Sequence, residues 1–556
     1  MAERSGTAPR ADRVFRGGVV RTLAGRAPDR AVEALAVSAG KVVALGDAAL
    51  DLVGAGTEVV DLEGGALLPG FQDAHVHPVL GGLQQLRCDL SELHDLDAYR
   101  AAVSGYAARH PELPWVEGSG WYGDVFPGGF PDRHELDRLV PDRPAVLVSH
   151  DAHGVWVNGR ALDRAGITAR TPDPDGGGIL RDACGEPTGM LVEAAADLVL
   201  GLCPPPDRSL LEAALRQAQA YLHGLGITAW QDAAVGEALG LPDTFDLYRR
   251  AEDEGWLTGK VTGALWWQRD AGLGQVEEMV HRRDLTANGR FRATAVKIMQ
   301  DGVCENLTAA VLEAYTGHPD NHGLSFLEPD ELRAAVVRLD AERFDIHLHA
   351  VGDRAVRECL DAVEASGAAG WDHRHQLAHL DLVDPADARR MSRLGVIANV
   401  QPLWARCDPV LVETKLPYLS PEQQRHHFAF GSLMRGGVPL AMGSDWPVSS
   451  PDPLWGVHTA VNRTAPAGDP HARDDRSQQV PLLPDESLDV TDALRAYTVG
   501  AARANRRDDG TGTLEPGRAA DLVVLDRDPL ALPPEELSQV RVRATYVDGG
   551  LVHRSP

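Results

Sequence analysis

Eight short apolar segments recur between residues 66 and 447, and they constrain the fold of this chain more than any other feature. Each is bounded by glycine, proline or polar turn residues, as buried strands are, and amphipathic helical segments follow most of them from the second onward. In chain order they read ALLPGFQDAHVH, GITAWQDA, GKVTGALWW, ATAVKIMQDG, FDIHLHAVG, HRHQLAHL, GVIANVQP and VPLAMGSDWP. Eight strands that alternate with helices predict an α/β fold of the (β/α)8 TIM-barrel type.

The two ends of the chain predict a second domain. The segments RVFRGGVVRTL, AVEALAVSAGKVVALG and TEVVDLEGG alternate apolar and polar residues between glycines. Near the other end, AADLVVLD precedes a hairpin that turns at Asp548-Gly549-Gly550. Because neither end holds enough strands for a stable sheet of its own, we predict one β-sandwich domain made of residues 1–65 and 508–556, with the barrel in residues 66–507.

The first two predicted barrel strands are separated by a stretch that is too long for a loop. That stretch contains the strand patterns PWVEGSG and PAVLVSHDAHGVWVN, the Gly/Pro-rich hairpin DPDGGGILRDACGEPTG and the helical segment RSLLEAALRQAQAYLHG. We therefore predict that residues 80–205 form a subdomain inserted in the barrel.

Charge and cysteine content narrow the class of function. The chain has 54 basic and 81 acidic residues, and its net charge of −27 argues against nucleic acid or an anionic membrane as a partner. Its six cysteines are scattered, which is typical of free thiols in a reducing compartment. The polar N-terminus lacks a signal-peptide core, and no apolar stretch approaches the roughly 20 residues that span a bilayer. We expect a cytoplasmic protein with a small-molecule substrate.

Six polar residues stand at the carboxyl ends of predicted barrel strands. They are His75, His77, Lys297, His349, His379 and Asp445. Such strand ends converge on one mouth of a barrel, where barrel enzymes keep their active sites. Each residue alone has an ordinary structural explanation, as a hydrogen-bonded histidine, an ion-paired lysine or a turn aspartate. Their joint position instead predicts a metal site.

The chemistry of this donor set indicates which metal it would hold. Imidazole and carboxylate groups suit a borderline divalent ion such as Zn²⁺, and six groups exceed one tetrahedral site, which favours two ions that share ligands. Lys297 cannot bind a cation as an ammonium, but burial near positive charge drives a lysine towards the neutral amine. That amine can add carbon dioxide, and the resulting carbamate can bridge two metal ions.

Longer motifs around these residues resemble those of the amidohydrolase superfamily, in the branch that includes N-substituted formamide deformylase and related N-acyl amide hydrolases. The resemblance runs over nearly the whole chain. It is carried by LLPGFQDAHVHP, WVEGSGWYGDVFPGG, DRPAVLVSHDAHGVWVNGRAL, GITAWQDA, VKIMQDG, HLHAVGDRAV, LAHLDLV, GSDWPV, YTVGAARA and GTLEPGRAADLVVLD. These motifs are specific for the branch but not for a substrate. The resemblance implies a metal-dependent hydrolase and suggests a homodimer.

The resemblance also implies how the ligands are shared between two ions. One Zn²⁺ would be held by His75, His77, carboxylated Lys297 and Asp445, and the second by Lys297, His349 and His379. His349 matches the family ligand because it directly precedes AVGD, which makes His347 structural. The family often has an acidic residue next to His379, where this chain has Ala378. That departure bears on ligand orientation or substrate fit more than on metal binding.

In function, the resemblance implies hydrolysis of a C–N amide bond in an N-formyl or N-acyl amine. The two ions would lower the pKa of a shared water to give a metal-activated hydroxide. Asp445 would accept the proton of that water and pass it to the leaving nitrogen, as a proton shuttle. Candidate contacts to the substrate or its oxyanion are Trp121, His153, Trp404, Trp446 and Arg463.

Other functions stay open at this point. A lactam or hydantoin hydrolase of the same superfamily breaks the same type of bond. A deaminase uses one metal and a glutamate near a barrel histidine, but no glutamate stands within several residues after His349 or His379. Lys297 also favours the two-metal hydrolase. A non-catalytic scaffold would be expected to have lost ligands, whereas the full set is present.

Overall fold

The computed structural model describes residues 10–25, 31–126, 129–150, 152, 154–174, 177–367 and 371–556. The chain divides into two compact units. The larger unit consists of Met1–His77, Gln219–Gly236 and Asp243–Pro556, and the smaller unit consists of Pro78–Ala218 and Glu237–Pro242. The smaller unit therefore contains the predicted insertion, residues 80–205, and extends beyond its predicted end.

The N-terminal part of the larger unit consists of short strands followed by the first barrel strand. These elements are β1 (Arg13–Arg16), β2 (Val19–Arg21), β3 (Ala31–Val32), β4 (Leu35–Ser38), β5 (Lys41–Leu45), α1 (Asp47–Leu50), β6 (Glu58–Asp61), β7 (Ala66–Pro69) and β8 (Phe71–Val76). The sequence predicted β7 and β8 as one strand, which is wrong. The chain changes sheet at Gly70, because β7 pairs with β2 whereas β8 pairs with a barrel strand. A Cβ at Gly70 would lie 2.3 Å from the side chain of Thr228, so only glycine fits this passage.

The smaller unit has its own sheet and core. Its elements are α2 (Pro78–Leu86), β9 (Cys88–Asp89), α3 (Leu96–Arg109), β10 (Val116–Trp121), α4 (Arg133–Leu139), β11 (Ala145–Ser149), β12 (Gly154–Val157), α5 (Gly159–Ala165), β13 (Gly177–Arg181), β14 (Pro187–Glu193), α6 (Asp197–Leu200) and the first part of α7 (Arg208–Gly224). The strand order is β13-β14-β12-β11-β10-β9. Aromatic side chains fill the core, where the rings of Phe126 and Trp156 meet edge to face at 5.1 Å.

The larger unit continues with the remaining barrel strands and their helices. They are β15 (Ile227–Val235), α8 (Phe245–Asp253), β16 (Lys260–Trp266), α9 (Val276–Leu285), β17 (Phe291–Met299), α10 (Pro329–Ala341), β18 (Asp345–Ala350), α11 (Asp353–Ala365), β19 (Gln376–His379), α12 (Pro385–Leu394), β20 (Ile397–Val400), α13 (Pro421–Arg425), α14 (Phe430–Arg435) and β21 (Leu440–Met442). The eight-stranded sheet has the order β8-β15-β16-β17-β18-β19-β20-β21, and all of its neighbours run parallel. Each predicted barrel segment contains one of these strands, so the predicted TIM barrel is confirmed.

The helix α11 shows how sequence produces these crossover elements. Val356, Leu360 and Val363 recur at helical spacing and are buried, so this face packs onto the barrel side. Gly367, just beyond the helix, has a φ of +73°, which is the left-handed conformation typical of a glycine that ends a helix.

The C-terminal part of the chain completes the sandwich. Its elements are α15 (Pro453–Asn462), α16 (Asp475–Gln479), α17 (Val490–Arg495), α18 (Ala501–Ala504), β22 (Leu522–Leu525), β23 (Val542–Val547) and β24 (Gly550–Arg554). One sheet has the order β5-β4-β1-β6, and the other, β24-β23-β22-β7-β2-β3, takes strands from both chain ends. Phe15 and Tyr546 pack edge to face at 5.2 Å in the shared core.

The predicted hairpin turn at the C-terminus is one residue shorter than the sequence indicated. Asp548 and Gly549 have φ values of 47° and 70°, as the two central residues of a type I′ turn require. Gly550 already belongs to β24, where it pairs with Val547. All six cysteines are free thiols, and in the described ranges no helix combines the length and apolar character needed to cross a bilayer.

A cluster of charged residues ties the sandwich to the barrel. The Nζ atom of Lys260, at the start of β16, lies 2.6 Å from Asp521 Oδ2 and 2.8 Å from Asp548 Oδ1. Arg290 adds a second cation 2.7 Å from Asp548. Burial raises the pKa of Asp521, and the charge of Lys260 opposes that shift. Lys260 therefore compensates a carboxylate that is almost fully removed from water.

We expect Lys260→Met to destabilise the protein by about 3–5 kcal/mol, because it leaves the buried Asp521 carboxylate without its cation. Urea unfolding followed by tryptophan fluorescence measures the loss. The matched control is Arg393→Met, whose partner Glu364 is solvent-exposed, and its cost should stay within about 1 kcal/mol. Equal midpoints for Lys260→Met and the control would contradict the role given to Lys260.

Candidate metal centre

The carboxyl end of β8 carries alternate polar residues on one face. Asp73, His75 and His77 are two residues apart, so their side chains are expected on the same side of this extended segment. The Nε2 atoms of His75 and His77 lie 3.3 Å and 3.0 Å from the same oxygen, Oδ1 of Asp445. The two histidines and the aspartate from the last strand thus converge on one point.

Asp445 follows β21 and is held beside β8 by a backbone hydrogen bond. Its backbone N–H donates to the His75 carbonyl at 2.7 Å, and its φ of 58° turns the carboxylate inward. Burial by itself raises the pKa of Asp445, but the interaction with His77 and the charge of Lys297 bring that pKa below its ordinary value. The carboxylate is therefore ionised at neutral pH, as a metal ligand must be.

Strands β18 and β19 bring two more histidines to this point. His379 lies 4.9 Å from His75 and 4.4 Å from His349, measured between ring centroids. Burial is the main cause that lowers the pKa of all three imidazoles, so they are neutral and can offer a lone pair. The Nδ1 atom of His349 lies 3.0 Å from Asp301 Oδ1, which leaves its Nε2 atom available.

Lys297 lies on β17, beside His347 in the sheet register, and is 2% exposed. Burial lowers the pKa of its ammonium to about 7, while the charge of Asp445 opposes this shift. The charge of Lys297 in turn lowers the pKa values of His75 and His349. The structure therefore brings Lys297 into the electrostatic environment of the histidine cluster.

These residues fit a divalent metal ion. Among the described residues, ligand atoms of His75, His379 and Asp445 all lie within 4.8 Å of one another. The Nδ1 atom of His77 is buried and has no hydrogen-bond partner in that part of the chain. Buried neutral imidazoles around an ionised carboxylate are the donor set of zinc-type sites, and leaving them without a ligand is costly.

His347 and Ala378 take positions behind the candidate ligands. The Nε2 atom of His347 lies 2.9 Å from His75 Nδ1. His347 therefore contacts a candidate ligand and is not itself assigned as a ligand. Ala378 is fully buried next to His379. The side chain that contacts His379 Nδ1 is Gln401, whose Oε1 atom lies 3.0 Å away. Orientation of His379 thus comes from β20 and its continuation, not from position 378.

The predicted substrate contacts from the barrel loops differ in their surroundings. The indole of Trp404 stacks on His379, with ring centroids 5.5 Å apart and an interplanar angle of 8°. Trp446 is also at the site, because its carbonyl accepts the His77 N–H at 2.9 Å. Arg463 is fully buried, and its Nε atom donates to the Leu482 carbonyl at 2.8 Å.

The two predicted contacts from the inserted segment have different outcomes. Trp121 is buried in the core of the smaller unit, and its indole N–H donates to the Leu147 carbonyl at 2.8 Å. This placement gives Trp121 a packing role. His153 lies outside the described residues.

Several residues that hold the centre together were missed by the sequence reasoning. Asp73 accepts hydrogen bonds from the N–H of His75 at 2.9 Å and from the Ser444 hydroxyl at 2.6 Å, and so links the first barrel strand to the last. Asp301 and Gln401 orient His349 and His379. Asp73 could have been found from its two-residue spacing to His75, but Gln401 carries no local signal.

An eight-stranded parallel barrel sheet with histidines and an ionised aspartate at its strand ends is typical of a metal-dependent hydrolase. The family comparison agrees, because an amidohydrolase family model matches residues 58–553. This chain belongs to the amidohydrolase family.

Individual relatives cover nearly the whole chain. The protein LONG AFTER FAR-RED 3 of Arabidopsis thaliana is 32% identical over 93% of this chain and 88% of its own length. N-substituted formamide deformylase of Arthrobacter pascens is 30% identical over 96% of both chains. Among solved structures, an uncharacterized metal-dependent hydrolase of Pyrococcus furiosus is 26% identical, with a TM-score of 0.71 over 93% of this chain and 99% of that one.

We expect Gly443→Ala to weaken metal binding, because a Cβ there would lie 2.5 Å from the His75 backbone nitrogen and 2.9 Å from Asp73 Oδ1. The backbone that positions His75 would have to shift. Metal content after reconstitution, measured by mass spectrometry of the digested protein, should fall at least several-fold. The control is Gly510→Ala, where the new Cβ meets nothing within 4 Å. Full metal occupancy in Gly443→Ala would refute this account of the site.

Proposed function

We propose that this protein hydrolyses a C–N amide bond of an N-formyl or N-acyl amine. The observation that carries the proposal is the convergence of His75, His77 and His379 on the ionised carboxylate of Asp445. The deformylase relative, which is 30% identical over 96% of this chain, supports the choice of an amide bond.

The proposed centre would hold two Zn²⁺ ions, with carboxylated Lys297 as a ligand of both. The first ion would be held by His75, His77, Lys297 and Asp445, and the second by Lys297, His349 and His379. Burial supports the modification, because it favours the neutral amine of Lys297 that reacts with carbon dioxide. In that reaction the amine nitrogen bonds to carbon and loses one proton, which gives a singly charged carbamate. When bound, the ions supply Lewis acidity for the substrate carbonyl and lower the pKa of a water.

Asp445 is the proposed proton shuttle. Its two carboxylate oxygens face different neighbours, since Oδ1 lies 3.0 Å from His77 Nε2 while Oδ2 lies 4.0 Å from His379 Nδ1. The lowered pKa of Asp445 means that the carboxylate is ionised at neutral pH, which is the form that could accept a proton from the attacking water and pass it to the leaving nitrogen. The left-handed backbone at Asp445 holds the carboxylate in this place during both transfers.

The proposed substrate pocket is built around Trp404 and Trp446. Trp404 is fixed by its stack on His379 and by its indole N–H, which donates to Ser449 Oγ at 3.0 Å. Two tryptophans beside the ligands favour an apolar or aromatic substituent on the amide. Arg463, whose two Nη atoms have no partner among the described residues, stays a candidate for a polar substituent. A homodimer also stays a proposal from family resemblance.

The direct test is a substrate panel on zinc-reconstituted enzyme. N-formyl, N-acetyl and longer N-acyl amines are compared with lactams and hydantoins, and amine release is measured. We expect the open-chain amides to have the higher kcat/KM. Faster opening of the cyclic amides would replace the proposed reaction with ring hydrolysis, and no turnover of any substrate class would contradict an amide hydrolase.

We expect Asp445→Asn to lower kcat by about 10²–10⁴-fold while zinc content stays close to that of the wild type, because an amide oxygen can still face the ions but cannot carry the proton. Zinc analysis and kcat on the best panel substrate are measured together. The control is the exposed Asp475→Asn, which should match the wild type. An active Asp445→Asn enzyme would remove the proton-shuttle role.

We expect Lys297→Ala to lose amide hydrolysis and to regain part of it when a short carboxylic acid and Zn²⁺ are added, since the acid can occupy the position of the carbamate. Activity is measured against acid concentration. Lys297→Arg is the comparison, because it fills the space, cannot form the carbamate and should not be rescued. Unchanged activity in Lys297→Ala would refute the bridging role.

A further inference from the structure

A connected set of buried side-chain amides lies behind the candidate ligands, in a place where barrel cores usually hold branched apolar residues. Its members are Gln72, Gln231, Gln376, Asn399, Gln401 and Asn505, each at most 1% exposed. They come from β8, β15, β19, β20, the residue that follows β20, and the segment after α18. Buried amides are costly unless their donors and acceptors are paired, so their pairing pattern is informative.

One branch of this network ends at His75. Asn505 Nδ2 donates to the Asp73 carbonyl at 3.3 Å, and this leaves Asn505 Oδ1 to accept from Gln231 Nε2 at 3.4 Å. Gln231 Oε1 therefore faces His347 Nδ1 at 2.8 Å. Because an amide oxygen only accepts, His347 carries its proton on Nδ1, and its bare Nε2 accepts from His75 Nδ1 at 2.9 Å. The lone pair of His75 is then on Nε2.

A second branch ends at His379. Asn399 Nδ2 donates to the Ala74 carbonyl at 2.8 Å, which leaves Asn399 Oδ1 to accept from Gln401 Nε2 at 3.4 Å. Gln401 Oε1 therefore faces His379 Nδ1 at 3.0 Å and accepts its proton. The lone pair of His379 is also on Nε2.

Gln376 bonds to both branches and makes their hydrogen-bond directions mutually consistent. Its Nε2 atom donates to Gln231 Oε1 at 3.3 Å and to the Ala504 carbonyl at 3.4 Å. Its Oε1 atom accepts from Asn399 Nδ2 at 2.7 Å. Backbone carbonyls, which can only accept, thus fix the direction of every amide between them and the two histidines. Reversing one amide would place two donors or two acceptors against each other.

We propose that this amide network is a positioning device that sets the tautomer of His75 and His379, with the proton on Nδ1 and the lone pair on Nε2, before any ion is bound. Neutral imidazole has two tautomers of similar stability in water, and only one of them presents a lone pair in a given direction. The network disfavours the tautomer with the proton on Nε2. The free-energy cost of ordering the ligands when an ion binds is therefore lower.

The proposal rests on the proposed metal centre for its consequence, but its main statement concerns the metal-free protein. The first test is ¹⁵N NMR of metal-free protein labelled at histidine, with two-bond ¹H–¹⁵N correlations that distinguish the tautomers. Loss of a signal in His75→Ala or His379→Ala assigns each resonance. We expect Nδ1 to be protonated in both. A proton on Nε2 of His379 in the wild-type protein would overturn the proposal without any network variant.

The second test changes the network itself. Gln401→Met and Gln231→Met remove the acceptors for His379 and His347, and we expect each to weaken zinc binding about 10–100-fold in competition with a chromophoric chelator. The matched control is Gln219→Met, a buried glutamine that bonds the Trp256 carbonyl and the Thr258 N–H instead. Its zinc affinity should match that of the wild type.

A conservative variant separates tautomer control from simple packing. Gln401→Glu keeps an acceptor for His379 Nδ1 and should retain the wild-type His379 tautomer, whereas Gln401→Met should shift it. Zinc affinity within twofold of the wild type in both methionine variants, or an unchanged tautomer in Gln401→Met, would overturn the proposal. If the wild-type protein binds no Zn²⁺, the proposed function fails, and the NMR result still decides the tautomer.

Discussion

The buried carboxylate of Asp73 joins the first and last strands of the barrel, and the arrangement of the candidate ligands depends on that connection. Asp73 accepts from the His75 N–H and from both the N–H and the hydroxyl of Ser444. These bonds place β8 beside the segment that carries Asp445. Burial raises the pKa of Asp73 to about 7, and the hydrogen bonds oppose that shift. A side chain that is not among the candidate ligands thus determines where two of the ligand-bearing segments meet.

Around this connection the barrel interior contains many polar side chains, and these side chains set the protonation and orientation of the candidate ligands. Imidazoles are held neutral by burial, Asp445 is held ionised by its neighbours, and Asp301 and Gln401 fix ring orientations. Such an interior gives little hydrophobic stabilisation, so the fold depends on the sandwich core, the helix faces and ion pairs such as Lys260–Asp521. Ions that bind only the folded state would add stability by mass action.

Much of the fold could be predicted because its signals are local. Strand alternation and bounding glycines located all eight barrel strands, and the rule that strand ends converge predicted that His75, His77, His379 and Asp445 lie close together. One error has a plain physical cause. β7 and β8 look continuous in the sequence, yet the chain changes sheet at Gly70, because β7 pairs with β2 whereas β8 pairs with a barrel strand.

By itself, the sequence determined the barrel, the residue types of the centre and their positions at strand ends, because side-chain alternation and helix periodicity act over a few residues. Only the tertiary structure decided which groups support them. Gln231 is far from Asn399 and Gln401 along the chain, and their amide directions follow from backbone carbonyls that only the folded barrel brings within reach. Hydrogen-bond direction is a property of partners, and partners across a barrel leave no periodic trace in the sequence.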